Sequence, residues 1–368
     1  MTGLHDALDD IADEAPLVNL ADLAIAGHRR RRRTTLTLTA VAAVTALGVA
    51  TAAVTLPGAN GDDKATPRNV DTVPDLPDGK VESLSHAYQT PCRVDPELRQ
   101  PLDCSAVEWR VVTGTGTTYR LSQALVRNAK GWNVPVAISR DGRMLAYYSR
   151  RAQAHVVRDL VSGSEATSSV TVKEELIGAG SMLVVSDDGR HVIFDPREGS
   201  KDPGLLIDMR TGKKVPVPGK FEAISIKDGV AALVRYVRTD LWLMPVTGGG
   251  TPVRFDGVFI NFSELAPDGR TMAAFEFKTT RSVEKRTLTL LDARTGRTLR
   301  KVAVRGLPKD GGVSGASLWV SGSEVTIIYR DTEVGTYAVD VDTGQARQLA
   351  RYSGKLTRLT LPGVTNTE

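Results

Sequence analysis

Residues 181–219 read SMLVVSDDGRHVIFDPREGSKDPGLLIDMRTGKKVPVPG. A short apolar strand runs into Asp188-Gly189-Arg190, a second strand follows, then a third, a Thr-Gly turn at 211–212, and a fourth. Asp and Gly close such turns for separate reasons: the carboxylate accepts turn amides, and glycine adopts positive φ without a steric penalty. Alternating runs of four to six apolar residues between turn signals read as strands. The same order recurs five times. The first unit holds VPVAIS, RDGR, MLAYYSR, HVVRDL, VSGSE and ATSSVT; the third EAISI, KDG, VAALVRYV, LWLMPV, TGGG and TPVRF; the fourth SELA, PDGR, TMAAFEF, LTLLDA, RTGR and TLRKVAV; the fifth ASLWV, SGS, EVTIIYR, TYAVDV, DTGQ and ARQLAR.

The glycines of the second turn, Gly163, Gly212, Gly249, Gly296 and Gly344, lie 49, 37, 47 and 48 residues apart. Four strands per unit at that period predict propeller blades. A single four-stranded sheet cannot cover both of its faces, so blades stack around an axis and bury one another. Segments 108–112 and 118–125 precede the first full unit and 356–361 follow the last. Pairing an early strand with the final one would complete a composite blade and remove the sheet edges. The expectation is an all-β, six-bladed propeller. Seven blades is the alternative, and it requires residues 81–106 to supply further strands.

The turn runs Ile138-Ser139-Arg140-Asp141-Gly142-Arg143-Met144-Leu145-Ala146-Tyr147, Val185-Ser186-Asp187-Asp188-Gly189-Arg190 and Leu265-Ala266-Pro267-Asp268-Gly269-Arg270-Thr271-Met272-Ala273-Ala274-Phe275 resemble the S-P-D-G-R-x-L-A-F core of TolB-type, WD-repeat-like propellers. The resemblance covers about residues 107 to 361; only Pro267 keeps the proline of that pattern, and the third and fifth units depart from D-G-R. It implies a fold and no particular activity.

A second stretch sets topology. Five arginines, Arg29, Arg30, Arg31, Arg32 and Arg33, precede 23 uncharged residues, 34–56, built of Thr, Ala, Val, Leu and one Gly. That length crosses a bilayer core of about 30 Å as a helix. The arginines place residues 1–33 in the cytoplasm and everything after 56 outside. A cleaved signal peptide is the rival reading, supported by Ala50-Thr51-Ala52 and opposed by an acidic N-terminal region 33 residues long. Residues 57–80, rich in Pro, Gly and Asp, read as a linker, and 81–368 as the external propeller. The whole arrangement also resembles membrane-anchored propeller proteins of high-GC actinobacteria.

Upstream of the arginines, Leu4, Leu8 and Ile11 fall on one helical face among aspartates, so a cytoplasmic partner is a candidate for this tail. A frayed tail is the competing reading. Cys92 and Cys104, in the oxidising compartment, are expected to form a disulfide.

Composition narrows the chemistry. Forty-seven Lys and Arg against 43 Asp and Glu leave a net charge of +4, much of it in the arginine cluster, so nucleic acid is not an expected partner. His5, His28, His86, His155 and His191 are scattered without metal-ligand spacing, and the tail lacks the His and paired Cys of zinc-binding anti-sigma domains. No G-x-S-x-G elbow is present, and the glycines of Ile177-Gly178-Ala179-Gly180-Ser181 do not complete a nucleotide-binding loop. Trp242 and Trp319 read as inter-blade core, with Trp109 and Trp132 as candidates for a binding surface.

The expected function is non-catalytic binding or scaffolding of a protein, peptide or envelope polymer, with no cofactor. Two alternatives remain. One is a transmembrane signalling protein whose tail holds a sigma factor or similar regulator; the other is an envelope enzyme, a lyase or glycan hydrolase, with carboxylates or His converging in the propeller funnel.

Overall fold

The structure is a computed structural model that describes residues 73–94, 102–236, 238–277, 286–354 and 356–364. It contains six four-stranded antiparallel sheets, the blades of a propeller. Blade 2 runs outwards from the axis through Ala137–Ile138, Met144–Ser149, Ala154–Asp159 and Glu165–Thr171. Blade 3 is Met182–Val185, His191–Asp195, Gly204–Asp208 and Lys214–Val217. Blade 4 is Glu222–Lys227, Val230–Arg235, Asp240–Pro245 and Val253–Arg254. Blade 5 is Phe259–Ile260, Thr271–Glu276, Thr287–Asp292 and Thr298–Ala303. Blade 6 is Gly312–Trp319, Glu324–Arg330, Val334–Asp340 and Ala346–Tyr352.

Blade 1 is composite. The C-terminal strand Thr357–Thr360 lies innermost and pairs with Leu84–Gln89, followed by Trp109–Thr113 and Thr118–Arg120. Ala87 faces Thr360, and Thr357 Oγ1 donates to the Gln89 carbonyl at 2.9 Å. The expected closure by the final strand is therefore present, with one strand more than segments 108–112 and 118–125 supply. The seven-blade alternative fails because Leu84–Gln89 belongs to blade 1, while Arg93–Val94 and Leu102–Asp103 form a separate two-stranded hairpin.

Each blade shows why repeats of this kind must stack. Middle strands such as Met144–Ser149 and Val230–Arg235 are buried along most of their length, on both faces of the sheet. Outer strands such as Glu165–Thr171 alternate or lie exposed, and Thr298–Ala303 carries Arg300 and Lys301 on its open edge. Charged edge residues discourage pairing with another chain. Five hydrophobic clusters fill five of the six seams: Tyr147 and Val111 between blades 1 and 2, Phe194 and Val157 between 2 and 3, Leu233 and Ile193 between 3 and 4, Phe259 and Val234 between 4 and 5, and Leu288 and Ile327 between 5 and 6. No comparable cluster occupies the seam between blades 6 and 1 among the described residues. There His86 packs edge-on against Tyr352 with ring centroids 5.0 Å apart.

The antiparallel order sorts the connections onto two faces. The Asp-Gly and Thr-Gly turns share one, the turn face; the connections between second and third strands and between blades share the other, the loop face. Part of the stretch read as linker lies against the propeller. Leu76 is 2% exposed and its N–H bonds the Arg120 carbonyl, Arg120 pairs with Asp75 at 2.6 Å, Arg158 donates to the carbonyls of Pro77 and Gly79, and Val81 N–H reaches Leu160. Residues 75–81 thus join blades 1 and 2.

Candidate functional site

The repeated turns are spent on structure. In the quoted stretch Asp188 Oδ1 accepts the Arg190 N–H at 3.0 Å and the Ser186 hydroxyl at 2.6 Å, while Gly189 adopts φ +67°. The Arg190 guanidinium then reaches Asp208 at 2.9 Å, the residue that opens the Thr-Gly turn by accepting the Arg210 and Thr211 amides. Arg143 with Asp159 and Arg270 with Asp292 repeat the arrangement in blades 2 and 5 at 2.9 and 2.8 Å. Blade 4 lacks both partners, with Val230 and Pro245 at the two positions. Burial works against ionisation of Asp208 and Asp292, but the arginines and turn amides outweigh it and hold both carboxyls down at about 2.

One position earlier in each turn the side chains point to the axis. Arg140, Asp187 and Lys227 occupy the place where the TolB-type pattern has the proline that Pro267 retains. They gather around Glu264, which is 2% exposed. Arg140 Nε lies 3.5 Å from Glu264 Oε2, Lys227 Nζ 3.6 Å from Oε1, and Trp319 N–H donates to Oε1 at 3.1 Å. Arg140 N–H also donates to Asp187 Oδ1 at 3.3 Å, and Lys227 Nζ to the Leu265 carbonyl at 3.0 Å. Two cations therefore face two carboxylates. Burial pushes the Asp187 carboxyl up to about 6 against the opposing pull of Arg140.

The chain's end closes over this cluster: Gly363 N–H donates to the Ile138 carbonyl at 2.9 Å, and Gly363 and Val364 line the remaining space with Arg140, Asp187 and Glu264. That space is about 20 Å³, enough for a single water. Further along the axis a cavity of about 70 Å³ lies among Ile224, Tyr236, Phe262, Ser317, Ile328 and Leu361. It admits a few waters, well short of the roughly 300 Å³ at which small-molecule pockets begin.

The loop face carries a different electrostatic feature at the seam of blades 3 and 4. Asp195 ends the second strand of blade 3, 3% exposed; its Oδ1 accepts the Arg197 N–H at 3.0 Å, and its Oδ2 has no hydrogen-bond partner among the described residues. Glu222 begins blade 4, half-buried, and Glu198 is exposed in the loop between the second and third strands of blade 3. Burial, with Glu198 and Asp202 adding repulsion, pushes Asp195 up to about 6; burial with the charges of Glu198 and Asp195 pushes Glu222 up to about 7.

Of the residues singled out from the sequence, Cys92 and Cys104 form the expected disulfide on the hairpin beside blade 1. Trp319 lies in the core between blades 5 and 6, as expected, its Nε1 donating to Ser263 Oγ at 3.1 Å. Trp242 is half-buried against Phe221, with ring centroids 5.6 Å apart. Trp109, read as a surface candidate, is fully buried, because it starts a strand flanked by blade 2; Trp132 is 45% exposed. His155 packs on Phe194 and Tyr148, and burial pulls its pKa down to about 3. Among the described residues no three His, Cys, Asp or Glu side chains are grouped to hold a metal ion. Arg29 to Arg33, the apolar run 34–56, and Leu4, Leu8 and Ile11 lie outside the described residues.

No family model matches the chain, and no curated protein matches it. Solved structures do match. The chain is similar to TolB. TolB from Acinetobacter baumannii is 17% identical with a TM-score of 0.47, over 75% of this chain and 65% of that one, so the match spans about two thirds of TolB. The β-propeller domain of Cps50 (Swd1) from Myceliophteria thermophila is 15% identical over 62% of this chain and 74% of its own, with a TM-score of 0.39. A functionally unknown protein from Desulfotomaculum acetoxidans is 12% identical over 74% and 81%, with a TM-score of 0.43. No ligand or activity is carried over at these distances.

Proposed function

We propose that this chain is a single-pass membrane protein whose propeller, held outside the cell, is a non-catalytic binding module for a protein, peptide or envelope polymer. The observation that carries the reading is the filled axis. Among the described residues, Arg140, Asp187, Lys227 and Glu264 neutralise one another, residues 361–364 close over them, and the space beside them holds about one water. A funnel enzyme needs convergent groups with room for substrate beside them. The axial charges are instead engaged with each other, and recognition falls to the two rigid, loop-lined faces. The arginine cluster and the uncharged run 34–56 support the anchor and its orientation.

The test is affinity purification of the full chain from gently solubilised native membranes, alongside a chain lacking residues 2–26 but retaining the arginines, with partners identified by mass spectrometry. The proposal expects the same external proteins or glycan-bearing fragments with both chains. Recovery of a cytoplasmic regulator only with the intact tail makes the protein a signalling device and the propeller its sensor. Release of the chain by alkaline carbonate, which strips peripheral proteins, refutes the anchor.

A further inference from the structure

Several carboxylates of the propeller are matched by arginine or lysine, and others accept hydroxyl or backbone N–H groups. Asp159, Asp208, Asp292, Glu264, Glu324 and Glu333 each have a cationic partner among the described residues. At the seam of blades 3 and 4 on the loop face, Asp195 has no cationic partner among the described residues, and its Oδ2 has no hydrogen-bond donor either. Asp195 shares its strand face with Ile193, which packs in the cluster that also contains Ala223 and Phe221 of blade 4. The Asp195 carboxylate therefore points across the seam, toward the start of the strand headed by Glu222. Its Oδ2 is buried and unpartnered, an arrangement that is unfavourable for the free protein.

Glu198 extends from the loop after Asp195 and lies over Gly180, where a Cβ would sit 2.8 Å from Glu198 Oε2. Neither Glu198 nor Glu222 has an ion pair among the described residues. The side chain of Tyr236, which lines the axial cavity, stands beside them, and its ionisation is pushed up by burial and by the charges of Glu222 and Glu198. Asp195, Glu222 and Glu198 thus place acidic groups without ion-pair partners among the described residues at one end of this seam, in a chain whose overall balance is basic.

The ligand class follows from the spacing. These acids do not group tightly enough for three of them to share one metal ion. A cation on a long, flexible stem suits separated acceptors, and a guanidinium offers five donors in a planar fork. We infer that this acidic seam, with Glu222 and Glu198 accessible and Asp195 buried behind them, binds the arginine or lysine side chain of a protein partner. The inference rests on the reading of the propeller as a binding module and names the chemistry its loop face selects.

Carbodiimide labelling of carboxylates in the full-length chain, read residue by residue by mass spectrometry, tests it. The probe is a capped Gly-Arg-Gly peptide, with the capped Gly-citrulline-Gly peptide as its uncharged isostere. A site with Kd on the order of 1 mM is about 90% occupied at about 10 mM peptide, so labelling of Glu222 and Glu198 falls about tenfold. The citrulline peptide leaves labelling unchanged, and Asp195→Asn with Glu222→Gln removes protection of Glu198. If that pair of substitutions disturbs the fold by circular dichroism, Glu222→Gln alone, at a half-buried position, takes its place. Equal labelling with both peptides, or protection that survives the substitutions, overturns the inference. A partner recovered from membranes that leaves Glu222 and Glu198 fully labelled also overturns it while sparing the binding-module reading; unprotected acids with no partner recovered sink both.

Discussion

Glu264→Gln isolates the axial cluster. The amide keeps the size of the side chain and an oxygen for the Trp319 N–H, but it removes the charge that Arg140 and Lys227 share at 3.5 and 3.6 Å. Breaking a buried ion pair by neutralising one member costs about 3–5 kcal/mol. Here the Arg140 and Lys227 side chains are 33% and 14% exposed and recover part of their hydration, which brings the expected loss to about 2–3 kcal/mol. A domain of ~290 residues unfolds with an entropy of about 0.6 kcal/mol/K, so the transition shifts down by about 3–5 °C. Differential scanning calorimetry of the full-length chain reads this directly. Lys227→Met supplies the second arm: once Glu264 is neutral, Lys227 has lost its charge partner, and the double variant should be about 1–2 kcal/mol more stable than the sum of the single losses. Strict additivity within about 0.5 kcal/mol, or a rise in Tm on Glu264→Gln, refutes the claim that these charges stabilise one another.

In the repeated turns the aspartate should matter more than the arginine: Asp292→Ala strands the Arg294 and Thr295 amides as well as Arg270, at about 2 kcal/mol, whereas Arg270→Ala removes only a half-exposed cation, at under about 1 kcal/mol, by urea denaturation. Gly142→Ala combines φ +74° with a Cβ 2.4 Å from the Leu84 carbonyl oxygen and should cost about 3 kcal/mol or more; Gly131→Ala, at φ +80° in open space, should cost about 1 kcal/mol in the same assay. Stability should be highest in mildly acidic solution. As pH falls from about 4 to 2 the unfolded chain takes up protons before Asp208 and Asp292 do, and stability is lost; as pH rises from about 4 to 7, Asp195 and Glu222 retain protons that the unfolded chain has released, and stability is lost again. Thermal melts across that range check both limbs, and Glu222→Gln should flatten the upper one.

Local turn chemistry made the blades legible. Asp141-Gly142-Arg143, Asp188-Gly189-Arg190 and Asp268-Gly269-Arg270 mark the first turns, and the Thr-Gly pairs mark the second, because these residues satisfy backbone groups within a few positions. Leu84–Gln89 was not legible as the second strand of a blade. It reads LSHAYQ, without regular alternation, and its partner lies far along the chain, so no turn announces it. Part of the axial cluster stands in the aligned units: Arg140, Asp187 and Lys227 share one column, and Glu264 is an acid in the column where the first three units place Ala137, Val184 and Ile224. Their convergence depends on six sheets meeting at an axis, which no spacing expresses. The juxtaposition of Asp195 and Glu222 is further removed still, since it arises where two blades abut and neither blade contains both.

The composite blade has a consequence in time. Gln89 and Thr357, bonded across the closure, are 268 positions apart, so the ring stays open until the strand that holds Thr357 has been made. Blades 2 to 6 assemble from neighbouring segments, but Leu84–Gln89 waits with an unpaired edge through the synthesis of everything between. Such long-range pairings are slow to form and leave intermediates open to association. The last seam to shut is also the one without a large apolar cluster among the described residues, where His86 meets Tyr352. Refolding from denaturant should therefore show a late phase in which ring closure lags strand formation, and a chain released before Thr357–Thr360 should persist as an open arc.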